Sequence, residues 1–179
     1  LMVAAPRVVP LGALIALGVA LSSRGPVFFT HERIGLGAEP FRVYKFRTMV
    51  DGDNPLVPDP TRITKVGALL RRLSLDELPQ LLNVGRGEMS IVGPRPHLPQ
   101  HDTAFSLIDR TYRIRALVKP GITGLAQIKG YRGEIDDPEK LRQRVYWDLY
   151  YVTNWTIWMD IRIILRTIWV VLVPPKSAI

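Results

Sequence analysis

A chain of 179 residues can fold as one domain with a buried core, and 47% hydrophobic with 22% charged residues excludes a disordered polyelectrolyte. Lysine and arginine number 24 against 16 acidic residues, and the resulting net charge of +8 points to an acidic partner: nucleic acid, anionic lipid or a phosphorylated substrate. Cysteine is absent, which excludes disulfides and a thiol nucleophile.

The chain opens at Leu1 on apolar residues and reads as a piece of a longer protein. Residues 8–22 form an apolar run without charge, shorter than the ~20 residues that spanning a bilayer takes. Pro10 lies inside it, where it removes a helix hydrogen bond and kinks the axis. Pattern alone leaves three readings: the end of a spanning helix, a buried core helix, or a kinked helix that enters and leaves one leaflet. Residues 27–29 and 41–44 read as short strands joined through Gly35, Gly37 and Pro40. Residues 51–60 read as a loop.

Residues 63–84 read as helix, from apolar Val66, Leu69, Leu70, Leu73, Leu78, Leu81 and Leu82 at near-helical spacing. Ser74 and Glu77 form a capping-box pattern that would start a new helix, with Pro79 as a kink or break. Pro94, Pro96 and Pro99 make the next stretch irregular, and Gly121, Ile122, Thr123 and Gly124 give a weak loop signal. Residues 141–151 read as another helix. The run WTIWMDIRIILRTIWVVL follows at 155–172. Its Thr156, Asp160, Arg162, Arg166 and Thr167 fall within an arc of about 160°, and tryptophan and isoleucine cover most of the rest. That suits a helix lying in a membrane interface, or alternatively a core helix. Pro174 and Pro175 stop it.

Asp76 and Glu77 are the chemical focus. Neighbours on a helix point ~100° apart, so they cannot share a proton as a facing pair would. They can divide labour, one carboxylate attacking phosphorus and the other holding a divalent cation. Arg71 and Arg72 precede them; Arg42, Lys45, Arg47, Arg86 and Arg95 complete a basic frame fitted to phosphate oxygens. His31, His97 and His101 are too sparse for a zinc site.

The run RRLSLDELPQLLNVGRGEMSIVGPRP, residues 71–96, closely resembles the bacterial sugar transferases, the monotopic polyprenyl-phosphate hexose-1-phosphate transferases or phosphoglycosyl transferases. So do GPVFFTHERIGLGAEPFRVYKFRTM from Gly25, PGITGLAQIKG from Pro120 and DLYYVTNWTIWMDIRIILRT near the end. The resemblance implies that Asp76 attacks the sugar-bearing phosphate of a UDP-sugar, releases UMP and holds a covalent phosphosugar, which undecaprenyl phosphate then accepts. It implies Mg²⁺ as cofactor, held with the help of Glu77, and phosphate or nucleotide contacts from Lys45, Arg47, Arg71 and Arg95. It implies a re-entrant membrane helix kinked at Pro10 and a site on the cytoplasmic face of the bacterial inner membrane. His31 replaces a frequent Gln, and Val9 a frequent Ser before the kink proline. The stretch GYRGEID from Gly130 is similar to that of undecaprenyl-phosphate glucose phosphotransferases apart from Ile135, which favours UDP-glucose as donor.

The expected architecture is α+β, mostly helical with a small β element. Residues 1–24 would form the re-entrant helix, 25–154 the catalytic domain and 155–173 the interfacial helix. The expected partners are UDP-sugar, undecaprenyl phosphate and the bilayer, not nucleic acid, with homo-oligomerisation left open. The rival readings are a catalytically inactive basic scaffold at a membrane surface, or a nucleic-acid-binding module; a carboxylate pair at the centre of a basic face argues against the latter.

Overall fold

A computed structural model describes residues 5–50, 59–133, 135 and 137–172. Most of the loop expected at 51–60, and the helix stop at Pro174 and Pro175, lie outside these residues. The chain is α+β and mostly helical. In order it forms α1 (Ala5–Ser22), β1 (Phe28–Ile34), β2 (Pro40–Phe46), α2 (Lys65–Arg72), α3 (Gln80–Gly85), β3 (Ser90–Val92), α4 (Pro99–Ile108), β4 (Gly121–Thr123), α5 (Leu125–Ile128), α6 (Pro138–Asn154) and α7 (Ile157–Leu172). Strands β1 and β2 pair in one two-stranded sheet, longer than the short strands expected there. Their connection closes where Gly35 N–H donates to Glu39 O at 2.8 Å, with Gly37 at φ +66° making the turn. The contacts fall into two compact units: Leu1–His31 with Tyr44–Asn83, and Glu32–Val43 with Val84–Ile179.

The first unit is built on α1. Ile15 and Val19, one turn apart, turn inward and pack with Phe46 and Leu70; Val27, Val66, Leu75 and Leu78 surround them. Each such buried aliphatic contributes about 1.5–3 kcal/mol. Leu14, Leu17 and Leu21 point outward from the same helix, each more than half exposed. Pro10 lies inside α1, as expected. Thr64 caps α2, its Oγ1 accepting Gly67 N–H at 2.8 Å. Gly67 is required by contact rather than by turn geometry, because a Cβ there would overlap the Thr48 carbonyl.

The helical stretch expected over 63–84, with a new helix from Ser74 and a kink or break at Pro79, is three pieces. Helix α2 ends at Arg72, a 3-10 turn covers Leu75–Glu77, and α3 begins only at Gln80. Ser74 does not cap anything: it is left-handed (φ 56°, ψ 20°), so its hydroxyl is turned away from the N–H groups a capping box would satisfy. Pro79, which cannot donate a hydrogen bond, separates the turn from α3.

In the second unit β3 and β4 run parallel, with Ser90 opposite Gly121 and Val92 opposite Thr123. The stretch read from sequence as a weak loop signal is therefore mostly a strand. Two cores hold this unit. Val92, Tyr151 and Ile163 form one, and Tyr112, Leu141 and Val145 the other. Pro138 starts α6 at a position where its missing N–H costs nothing, with Asp137 as the cap. Ile163 turns α7 inward, while Ile157, Trp158, Ile161, Leu165, Ile168 and Trp169 stand outward. Among the described residues no helix is long and apolar enough to cross a membrane.

Candidate functional site

The 3-10 turn Leu75–Glu77 carries both carboxylates of the LDELPQ motif. Leu75 and Leu78 sink into the core on either side, which fixes the turn between two apolar anchors. Glu77 is buried, 5% exposed, whereas Asp76 is only partly buried. Glu77 Oε1 accepts from Lys45 Nζ at 2.8 Å, and this ion pair ties the turn to the end of β2. The two neighbours thus differ in environment: one carboxylate is anchored inward by a cation, the other stands nearer the surface.

The basic residues expected around the pair occupy different places. Arg71, in the last turn of α2, donates from Nε to Thr48 Oγ1 at 2.9 Å and is exposed. Arg47 is buried and spends its fork on backbone: Nη2 donates to Ser23 O at 2.7 Å and Nη1 to Arg24 O. Those carbonyls follow the end of α1, where helix carbonyls lose their intrahelical donors. In this structure Arg47 therefore fastens α1 to the strand that carries Lys45. Its Nε is buried and has no hydrogen-bond partner. Lys45, Arg47 and Arg71 lie in the same unit as Asp76 and Glu77, while Arg95 belongs to the second unit.

Arg95 sits in loop 93–97, the GPRPH that leaves β3. Gly93 N–H donates to Thr123 O at 2.9 Å, and Gly121 N–H to Pro94 O at 2.9 Å. Gly93 and Gly121 approach so closely that a Cβ on either would overlap the other segment's backbone. A cavity of about 30 Å³ lies behind the loop, lined by Arg95, His97, Tyr112 and Arg115 among others, room for a water molecule and not for a sugar.

Beneath the loop lies a polar node that the sequence reading missed. Arg115 Nε donates to Asp148 Oδ2 at 2.7 Å. Arg144 Nη1 faces His97 Nε2 at 3.3 Å, and Tyr112 Oη lies 2.6 Å from His97 Nδ1. Arginine only donates, and Arg115 Nη1 also lies 3.2 Å from His97 Nδ1, so both ring nitrogens face guanidinium N–H groups and the neutral ring accepts on whichever nitrogen lacks the hydrogen. The Tyr112 hydroxyl is also hydrogen-bonded to Asp102. An imidazolium would set two N–H donors against guanidinium donors. Burial, and then the charges of Arg115, Arg144, Arg33 and Arg95, accordingly hold His97 well below its ordinary 6.5. Burial pushes the Asp148 carboxyl up, opposed by Arg115 beside it. Burial and the nearby Arg95 and Arg115 lower Arg144 to about 10, with Asp148 opposing. Arg144 also lines, with Gly130, Tyr131, Gly133 and Lys140, a pocket of about 190 Å³.

One signal for this node was present in the sequence. Leu141, Arg144, Val145, Asp148 and Tyr151 share the buried face of α6 at helical spacing. Two opposite charges on an otherwise apolar stripe mark a buried ion network. Among the described residues no group of three or more His, Asp or Glu gathers that could hold a metal ion.

The sequence profile of the family described as bacterial sugar transferase matches residues 1–174. A protein of Xanthomonas campestris pv. campestris named UDP-glucose:undecaprenyl-phosphate glucose-1-phosphate transferase is 49% identical over 164 residues, 88% of this chain and 34% of its own length. One of the same name from Escherichia coli K12 is 50% identical, over 89% of this chain and 35% of its own. A UDP-N-acetylgalactosamine-undecaprenyl-phosphate N-acetylgalactosaminephosphotransferase of Aeromonas hydrophila is 38% identical, over 93% and 40%. The chain thus spans between a third and two fifths of the length of these three relatives.

Proposed function

Because the chain belongs to the bacterial sugar transferase family, we propose that it moves a hexose-1-phosphate from a UDP-sugar to undecaprenyl phosphate, releasing UMP. The observation that carries this reading is the Leu75–Glu77 turn, with Glu77 buried against Lys45 and Asp76 beside it nearer the surface. In the proposed reaction an Asp76 carboxylate oxygen attacks the sugar-bearing phosphorus. The bridging P–O bond breaks, and its oxygen and electron pair leave with UMP. An oxygen of undecaprenyl phosphate then attacks the same phosphorus and displaces Asp76, regenerating the carboxylate.

Glu77 and Asp76 are hard oxygen donors on one turn, which suits Mg²⁺, an ion usually held by one or two carboxylates and completed by substrate phosphates. When bound, Mg²⁺ would offset the charge that builds on the departing phosphate. The chain's own part is done by cations. Lys45 orients Glu77, and Arg71 and Arg95 are read as contacts to the donor's phosphates or nucleotide. Glucose-1-phosphate is the preferred group, a reading supported by the names of the Xanthomonas and Escherichia relatives, while the Aeromonas name keeps N-acetylhexosamines in the panel.

A lipid surface supplies the acceptor. The outward leucines of α1, with Pro10 within that helix, support its reading as a re-entrant membrane segment. The outward Trp158, Ile161, Leu165 and Trp169 of α7, with exposed Arg162 and Arg166 beside them, support an interfacial helix. On this reading the site faces the cytoplasm, where UDP-sugars are found.

The test is UMP release from a panel of UDP-sugars, with undecaprenyl phosphate and Mg²⁺, by lipid-reconstituted wild type and Asp76→Asn. Release by wild type that falls at least about a thousandfold in the variant is the expected outcome. Equal release by both removes Asp76 from the chemistry, and release by neither leaves a scaffold role as the better reading.

A further inference from the structure

The four carbonyls of residues 94–97 are all answered. Gly121 N–H serves Pro94 O, Arg33 Nη1 serves Pro96 O at 3.3 Å, and Ile34 N–H serves His97 O at 3.0 Å. The carbonyl of Arg95 itself takes its bond from a side chain, Arg115 Nη2, at 2.7 Å. Arg115 is 7% exposed and held from the other side by Asp148, with its guanidinium 4.9 Å from the centre of the Tyr112 ring. A planar fork can span a carboxylate and a carbonyl at once; an ammonium acts as a point charge. Buried in this way, Arg115 acts on the loop and not on a ligand.

We propose that Arg115 is a positioning residue for the donor: by clamping the Arg95 carbonyl to the Asp148–His97–Tyr112 node, it fixes the direction in which Arg95 presents its guanidinium to the phosphates of the UDP-sugar. This rests on the reading above in which Arg95 contacts the donor. Three features make the clamp directional. Parallel pairing of β3 with β4 sets where the loop begins. The close approach of Gly93 and Gly121 prevents it from lifting. Arg115 then fixes the peptide plane that follows Arg95, and with it the backbone angle from which that side chain departs. Loss of the clamp should weaken donor capture and leave the chemistry at Asp76 intact once the donor is bound.

The experiment compares lipid-reconstituted wild type, Arg115→Lys, Arg95→Ala and the double variant. Arg115→Lys is expected to raise the UDP-sugar KM about tenfold with kcat within about twofold. Arg95→Ala should raise KM at least as much, and the double variant no further than Arg95→Ala alone, the non-additivity of two residues acting through one contact. Amide hydrogen exchange at Arg95 and His97, measured without substrate, should quicken about tenfold in Arg115→Lys. Unchanged exchange at those amides overturns the clamp, and KM effects that multiply in the double variant overturn its action through Arg95. If wild type turns over no UDP-sugar, the functional reading falls and takes the donor role with it, while the exchange measurement still decides the clamp. Should Arg115→Lys not fold, Asp148→Asn, which keeps Arg115 but weakens its anchor, must show the same KM-against-kcat split at smaller size or the proposal fails.

Discussion

The carboxylate turn of the first unit and the GPRPH loop of the second are built on opposite plans. The turn is held by two leucines and one ion pair, and it begins at a left-handed Ser74 whose buried hydroxyl has no hydrogen-bond partner. The loop has each carbonyl of residues 94–97 answered and rests on a dense node of charge. On the proposed reaction, the carboxylate that attacks phosphorus stands on the sparsely held turn, and the arginine that recognises the donor stands on the rigid loop. Four measurements bear on this contrast.

The largest expected effect is in the node. Asp148→Ala leaves Arg115 buried and unpaired and should cost about 3–5 kcal/mol in urea unfolding; a loss under about 1 kcal/mol would show that the node is not structural. Next is Gly67→Ala in the first unit. It forces α2 away from Thr48 and should cost roughly 1–3 kcal/mol as overpacking, with the Arg71–Thr48 bond disturbed.

Third is pH. His97 is held well below 6.5 in the fold and returns to about that value on unfolding. Below pH 6.5 the unfolded chain therefore carries one more proton, and stability falls with pH by ~1.4 kcal/mol per unit until the folded value is reached. Above 6.5 this contribution is constant. Unfolding at pH 7, 6 and 5 should show this added slope in wild type and not in His97→Gln; equal slopes would mean that His97 titrates normally. The smallest effect belongs to Ser74. Ser74→Gly accepts the left-handed angles and removes the orphan hydroxyl, so stability should stay level or rise by up to about 1 kcal/mol. A loss of more than that would mean that the hydroxyl has a partner in solution, and the contrast between the two regions would weaken.

What could be read without coordinates follows from range. The break near Pro79 depends on residues within a few positions of one another, and it was legible. The reversal at Ser74 was not, because serine followed three residues later by glutamate is the common sequence of a cap, and only the angle φ distinguishes the two. The resemblance places Arg47 among the phosphate or nucleotide contacts; its bonds to Ser23 and Arg24 depend on where α1 ends in space and leave no local mark in the sequence. The parallel pairing of Ser90 with Gly121 spans some thirty residues and leaves only a weak local mark. Contacts assign α1 and α7 each to the unit whose core it helps to fill.

Three of the chain's four tryptophans, Trp155, Trp158 and Trp169, stand more than half exposed at the start of α7 or along it, and only Trp147, beneath Lys129, lies elsewhere. An indole in water emits at longer wavelength than one in hydrocarbon. The ultraviolet emission of the unlabelled chain is therefore chiefly a report from this one face, and titration with vesicles can be followed by colour, with no dye, tag or substitution to disturb the surface being watched.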